Sequence, residues 1–202
     1  MKKFLSLTLA AVMAFGLAAC GSSSSSSSAS GSTSAAAEGT TFKIGGIGPI
    51  TGGAAIYGTA VKNAAQLAVD EINADGGING AQVEFNFQDD ENDAEKSVNA
   101  YNTLKDWGMQ ILMGTVTSTP CIAVAAKTAE DNMFQITPSG SAVKCVENDN
   151  AFRVCFSDPD QGTASAKYIG ENKLATKIAV IYDSSDVYSS GIYEKFAAEA
   201  KN

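Results

Sequence analysis

The chain has 202 residues, with 14 basic and 22 acidic side chains, a net charge of −8 and no histidine. An acidic chain without a Lys/Arg cluster is a poor match for phosphate backbones, which excludes nucleic acid as a partner. Without imidazole it also lacks the commonest general base and the commonest metal ligand.

The first element is a leader. Met1-Lys2-Lys3 is followed by an apolar stretch over 4–19 and by small residues before Cys20. A basic start, a short apolar core and a small-residue cut site predict an export signal peptide over residues 1–20. The run is too short to cross roughly 30 Å of hydrocarbon comfortably. The ending Leu17-Ala18-Ala19-Cys20-Gly21 resembles the bacterial lipobox, which implies a diacylglycerol on the Cys20 thiol and a membrane anchor. Each buried CH₂ of such a chain contributes about 0.8 kcal/mol. Loss of Lys2 and Lys3 with the leader would leave 12 basic against 22 acidic residues. Residues 21–41 are almost entirely Ser, Ala, Gly and Thr, with serine at every position from 22 to 28. That composition offsets too little ordering entropy to fold and predicts a flexible tether.

From residue 42 onward the pattern alternates. Phe42 to Ile47 reads as a buried strand ending in a glycine turn, and 57–73 as a helix with Val61, Ala64, Ala65, Ala68 and Ile72 at helical spacing, stopped by Asp75-Gly76-Gly77. Val83, Phe85 and Phe87 alternate with polar residues as a strand does. The acidic run Asp89, Asp90, Glu91, Asp93 reads as a solvated loop. Asn92-Asp93 can cap a helix that turns Ala94, Val98, Tyr101 and Leu104 inward. Ile111 to Met113 is a short strand, and Pro120 lies near the start of a helix running to about Asn132. Strands follow at 134–136 and 152–156, a helix after Asp158-Pro159-Asp160 to about Glu171, a strand at 177–182 and a helix at 188–201. The result is an α/β fold whose parallel sheet is covered on both faces, with ligands expected at the carboxyl ends of its strands.

Chemistry-bearing motifs are sparse. Gly45-Gly46-Ile47-Gly48 follows a strand, but Thr51 breaks the G-x-G-x-x-G spacing of a dinucleotide turn. Ser118, Ser139 and Ser141 have no histidine with which to build a triad. With Cys20 lipidated, Cys121, Cys145 and Cys155 remain, an odd number whose pairing spacing does not fix. No enzyme activity, metal or cofactor is expected.

Four stretches then carry a family resemblance. The run Ile44 to Gly52 (I-G-G-I-G-P-I-T-G), the block Ala68 to Gly80 (A-V-D-E-I-N-A-D-G-G-I-N-G) and the loops around Ser118 and Ser139 resemble the branched-chain amino acid binding proteins, which are type I periplasmic binding proteins. The resemblance covers residues 42–202. It implies two doubly wound parallel-sheet lobes around a ligand cleft that closes by a hinge. Here 42–157 would be the N-terminal lobe, lacking its C-terminal elements, and 158–202 the incomplete start of the second, so that the chain reads as an N-terminal fragment. It further implies a monomer, tethered through Cys20 on the outer face of the cytoplasmic membrane, that delivers a small amino acid to an ABC permease and ATPase. A sensory receptor of the same fold, or a binder of an amide, urea-like compound or aromatic acid, is the alternative.

The resemblance also assigns residues. Ser118, at a helix start that favours anions, would bind the ligand carboxylate through its hydroxyl and N–H, although the hydroxyl also suits a cap for its own helix. The position matching Ser139 gives its carbonyl to the ligand ammonium. The position matching Ser141, often threonine in the family, gives N–H and hydroxyl contacts. Tyr57, where well-known members carry tryptophan, and Tyr188 would close over the ligand side chain. The acid that neutralises the ammonium in the family is expected beyond Asn202.

Overall fold

The computed structural model describes residues 41–201. The expected leader and nearly all of the expected tether lie outside the described residues.

Five strands, β1 (Thr41–Gly48), β2 (Gln82–Asp89), β3 (Ile111–Gly114), β4 (Gln135–Thr137) and β5 (Ala151–Arg153), form one sheet in the order β2-β1-β3-β4-β5. All four neighbouring pairs are parallel. Parallel neighbours require crossovers, here α1 (Ala55–Ala74), α2 (Ala94–Trp107) and α3 (Ser118–Asp131). Between β4 and β5 the chain makes a 3₁₀ turn at Val143–Val146, which carries the buried Cys145.

The core lies between the middle strands and α2 and α3. Ile47 and Leu112 come from the sheet, Ala100, Tyr101 and Leu104 from α2, Met109 from the turn after it and Val124 from α3. Fully burying a side chain of this size contributes about 1.5–3 kcal/mol. Asp93 caps α2, its carboxylate accepting from Lys96 N at 2.8 Å. Inside that helix Ser97, Ala100, Tyr101 and Leu104 are buried, a one-sided i, i+3, i+4, i+7 set, whereas Ala94 and Val98 are only partly covered. The stripe of α1 is likewise rotated from expectation. Gly58 and Val69 are buried and Val61 and Ala65 partly so, while Ala64 and Ala68 face solvent. Alanine fits either face, so the apolar count alone did not fix the rotation.

Two further expectations change. β5 ends at Arg153 because after Val154 N donates to Thr137 O at 3.1 Å the chain bends away, leaving Val154 and Phe156 exposed. No strand forms at 177–182, where Ile178, Val180, Ile181 and Tyr182 are exposed. A short apolar run makes a strand only where a neighbour takes up the ladder, and among the described residues none does. Flanking that segment, α4 (Asp158–Glu171) and α5 (Val187–Glu199) pack on each other. A Cβ at Gly162 would lie 2.4 Å from Ile192 O, so this close approach needs glycine. No helix among the described residues is long and apolar enough to cross a membrane.

Candidate functional site

From β1 the chain crosses to β2 on one side and afterwards to β3 on the other. The carboxyl ends of β1 and β3 therefore flank a topological switch point, where α/β sheets open a crevice. Three loops border it.

The loop after β1 is held by Asp89 at the end of β2. Its Oδ1 accepts from Ile50 N at 2.9 Å and Glu91 N at 3.0 Å, and its Oδ2 from Thr51 Oγ1 at 2.5 Å. Burial alone would raise this carboxyl's pKa, but the hydrogen bonds from Thr51, Ile50 and Glu91 outweigh it and hold the group below its usual range. The loop feeds α1, whose start lies so close to Pro49 that a Cβ at Gly58 would sit 1.9 Å from Pro49 O. The acidic run is thus solvated only in part, with Glu91 and Asp93 exposed and Asp90 buried. It is a tight turn, with Glu91 and Asn92 at φ of 50° and 61°, in which Asp89 and Asp90 satisfy backbone N–H groups. Asp90 is 0% exposed, and its Oδ2 has no partner. Burial, reinforced by Asp89 and Asp93 against the bond from Asn92 N, pushes its carboxyl up to about 6.

The loops after β3 and β4 are knitted together by hydroxyls. Thr137 Oγ1 donates to Thr115 O and accepts from Gly140 N, and Ser139 Oγ donates to Val116 O. Ser118 is the first residue of α3, with Thr117 at the cap position. Its hydroxyl accepts from Ala142 N at 3.2 Å, so it ties the two loops together instead of capping its own helix. First-turn N–H groups of α3 have no partner within the helix, and the positive end of its dipole points the same way.

Ser141 has its carbonyl fully engaged, accepting from Arg153 Nη1 at 2.9 Å and Asp158 N at 3.1 Å. Its hydroxyl is buried without a hydrogen-bond partner, and so is Thr117 Oγ1. Behind Ser141 stands Asp158, 1% exposed with both carboxylate oxygens unpartnered. Burial raises its pKa, and the approach of the Ser141 hydroxyl and the charge of Arg153 only partly offset this. The Ser141 hydroxyl nears that carboxylate without hydrogen-bonding geometry, which leaves it available to a third group.

A cavity of about 390 Å³ opens over these loops. All five residues expected from the sequence, Tyr57, Ser118, Ser139, Ser141 and Tyr188, line it. Tyr57 and Tyr188 are 64% and 42% exposed, so both rings have surface left to cover a ligand. The sequence reading missed Thr117, Phe156, Cys155 and Asp186, which also line it. Thr117 could have been found, since it precedes Ser118 at the same helix start. Asp186 carries a cap signature, its Oδ2 accepting from Ser189 N at 2.9 Å. Phe156 gave no signal once it was placed in a strand. Among the lining residues Asp186 alone carries a formal charge, so an anionic group here would be held by N–H and hydroxyl dipoles. Val116, Phe156 and the two tyrosine rings supply apolar wall, and the volume falls in the range of small-molecule sites.

Residues 41–202 match the family described as periplasmic binding protein. A Leu/Ile/Val-binding protein of Rhizobium johnstonii, BraC3, is 36% identical over 157 residues, which are 77% of this chain and 42% of that protein. The chain therefore spans less than half the length of the curated relatives it matches. Among solved structures, the branched-chain amino acid transporter substrate-binding protein LivJ of Streptococcus pneumoniae, in complex with isoleucine, superposes with a TM-score of 0.76 at 32% identity, covering 81% of this chain and 47% of that one. The leucine-binding protein LivK of Thermotoga maritima gives 0.72 at 26% identity, over 79% and 45% of the two chains.

Proposed function

Because the chain belongs to the periplasmic binding protein family, we propose that it works outside the cytoplasm as the substrate-binding component of an ABC importer, capturing a branched-chain or similar amino acid. The observation that carries this reading is the cavity at the switch point, where two buried hydroxyls without partners and a helix N-terminus face apolar wall. A zwitterion with an aliphatic side chain complements that arrangement. Its carboxylate goes to the Ser118 N–H and hydroxyl and to the Ser141 hydroxyl, its ammonium to the Ser139 carbonyl, and its side chain between Tyr57 and Tyr188. Occupying an orphaned hydroxyl matters energetically, since a hydrogen bond to a charged group contributes about 1.5–3 kcal/mol.

Capture is a population shift. A ligand that touches both walls of the cleft only when they close stabilises the closed form by its differential affinity, and that form docks on the permease. The binding step uses contacts alone, without bond chemistry. A diacylglycerol on Cys20, with residues 21–41 as leash, keeps the binder near its permease. Replacing Cys20 by serine should move the protein from the membrane to the soluble fraction, and retention on the membrane would contradict the anchor.

A thermal-shift screen of the mature protein against amino acids, amides and aromatic acids tests the ligand class. A ligand that binds only the folded state adds RT ln(1 + [L]/Kd), about 2.7 kcal/mol at a hundredfold excess over Kd. Leucine, isoleucine or valine should raise Tm. A shift with aromatic acids alone would overturn the amino-acid assignment.

A further inference from the structure

We propose that Cys121 and Cys145 are joined by a disulfide that staples the two hydroxyl-bearing loops of the cavity together. Both thiols are 0% exposed and lie in one apolar cluster with Ala142. Cys145 Sγ donates to Ser118 O at 3.7 Å, three residues before Cys121 on the same helix. Cys121 stands one turn into α3, three residues after Ser118, and Cys145 lies in the 3₁₀ turn four residues after Ser141. A bond between them would hold the α3 start and the loop after β4 at a fixed separation, adding to the Ser118–Ala142 hydrogen bond. Cys155 lines the cavity, partly exposed, and stays the free thiol. The odd cysteine count thereby resolves into one pair and one single.

This inference rests on the extracytoplasmic reading above, because such bonds persist in oxidising compartments. Its chemistry balances through thiol–disulfide exchange. The Cys121 sulfur, as thiolate, attacks an external disulfide of the small-molecule or oxidoreductase class and releases one thiol. The Cys145 sulfur, losing its proton, then displaces the second thiol and closes the S–S bond. Two protein thiols are oxidised and one external disulfide is reduced. Since both sulfurs are sealed in the fold, exchange takes place before α3 and the 3₁₀ turn dock, and the finished bond resists reductant until the chain unfolds.

The test is alkylation of the exported full-length protein under denaturing, non-reducing conditions, followed by trypsin and mass spectrometry. Cleavage after Lys127, Lys144 and Arg153 puts the three cysteines on separate peptides. The expected result is a Cys121–Cys145 linked pair with Cys155 alkylated. Alkylation of all three, or a link through Cys155, overturns the proposal. A Cys121→Ala/Cys145→Ala variant should lose its reductant sensitivity, whereas wild type reduced in denaturant and refolded under reductant should melt roughly 5–10 °C lower. Equal melting of reduced and oxidised wild type would also count against the staple. Leucine binding by the same preparation reports separately on the proposed function.

Discussion

Residues 41–157 and 158–201 are both rich in apolar side chains, yet they bury them very differently. In the first region five strands share ladders, and Ile47, Leu104, Leu112 and Val124 reach 0% exposure. In the second, α5 has no buried residue, and the apolar segment at 177–182 pairs with nothing among the described residues. The difference teaches that pattern proposes a face and a partner surface decides whether it is covered. It also separates the two walls of the cavity. The serine wall is built on a packed sheet and cross-linked by hydroxyls, while Tyr188 comes from a helix pair resting on less.

The comparison predicts unequal responses to truncation. Leu104→Ala or Leu112→Ala should cost about 2–5 kcal/mol by denaturant unfolding, while Ile181→Ala, at a fully exposed position, should leave the midpoint unchanged. Equal losses would erase the distinction. Gly162→Leu should separate α4 from α5 by overpacking, at a cost of about 1–3 kcal/mol, and weaken ligand binding through Tyr188 more than it lowers Tm through the sheet. A variant that binds as wild type does would detach Tyr188 from the ligand.

The pH prediction falls on the packed region. Asp90 has a folded-state pKa raised to about 6 by burial, against an unfolded value near 3.9. The native state thus binds the proton more tightly, and stability falls as pH rises from about 4 to about 6 before levelling off. Asp90→Asn keeps an acceptor for Asn92 N and removes the charge. It should stabilise the protein at pH 7 by about 1–3 kcal/mol and flatten its Tm profile between pH 4 and 6. A profile as steep as that of wild type would place the titration elsewhere. The smallest effect belongs to a cap, since Asp93→Ala should cost about 1 kcal/mol through the start of α2.

Much of this was legible in the sequence. β1 to β4 and all five helices follow from periodicity and turn residues, β2 through the alternation of Val83, Phe85 and Phe87 with polar residues and β3 through its short apolar run. The five candidate residues came from the family resemblance, and the structure brings them to one cavity. The roles of hydrogen bonds were not legible. Ser118 looked equally suited to capping its own helix, and only the fold showed its hydroxyl accepting from Ala142, 24 residues away. The acidic run looked solvated because charge is ordinarily wet, whereas a turn with N–H groups to satisfy drew Asp90 fully inside. Phe156 was missed because its role depends on where a loop ends in space.

The central claim is that the hydroxyls left without partners at this switch point await an amino acid. Calorimetric titration of leucine into the mature protein, alongside Ser141→Ala, tests it most directly. The account predicts saturable binding by wild type and a roughly 10–100-fold weaker Kd for Ser141→Ala at unchanged Tm of the free protein. Equal affinity in both, or no heat with leucine, isoleucine or valine, would contradict it.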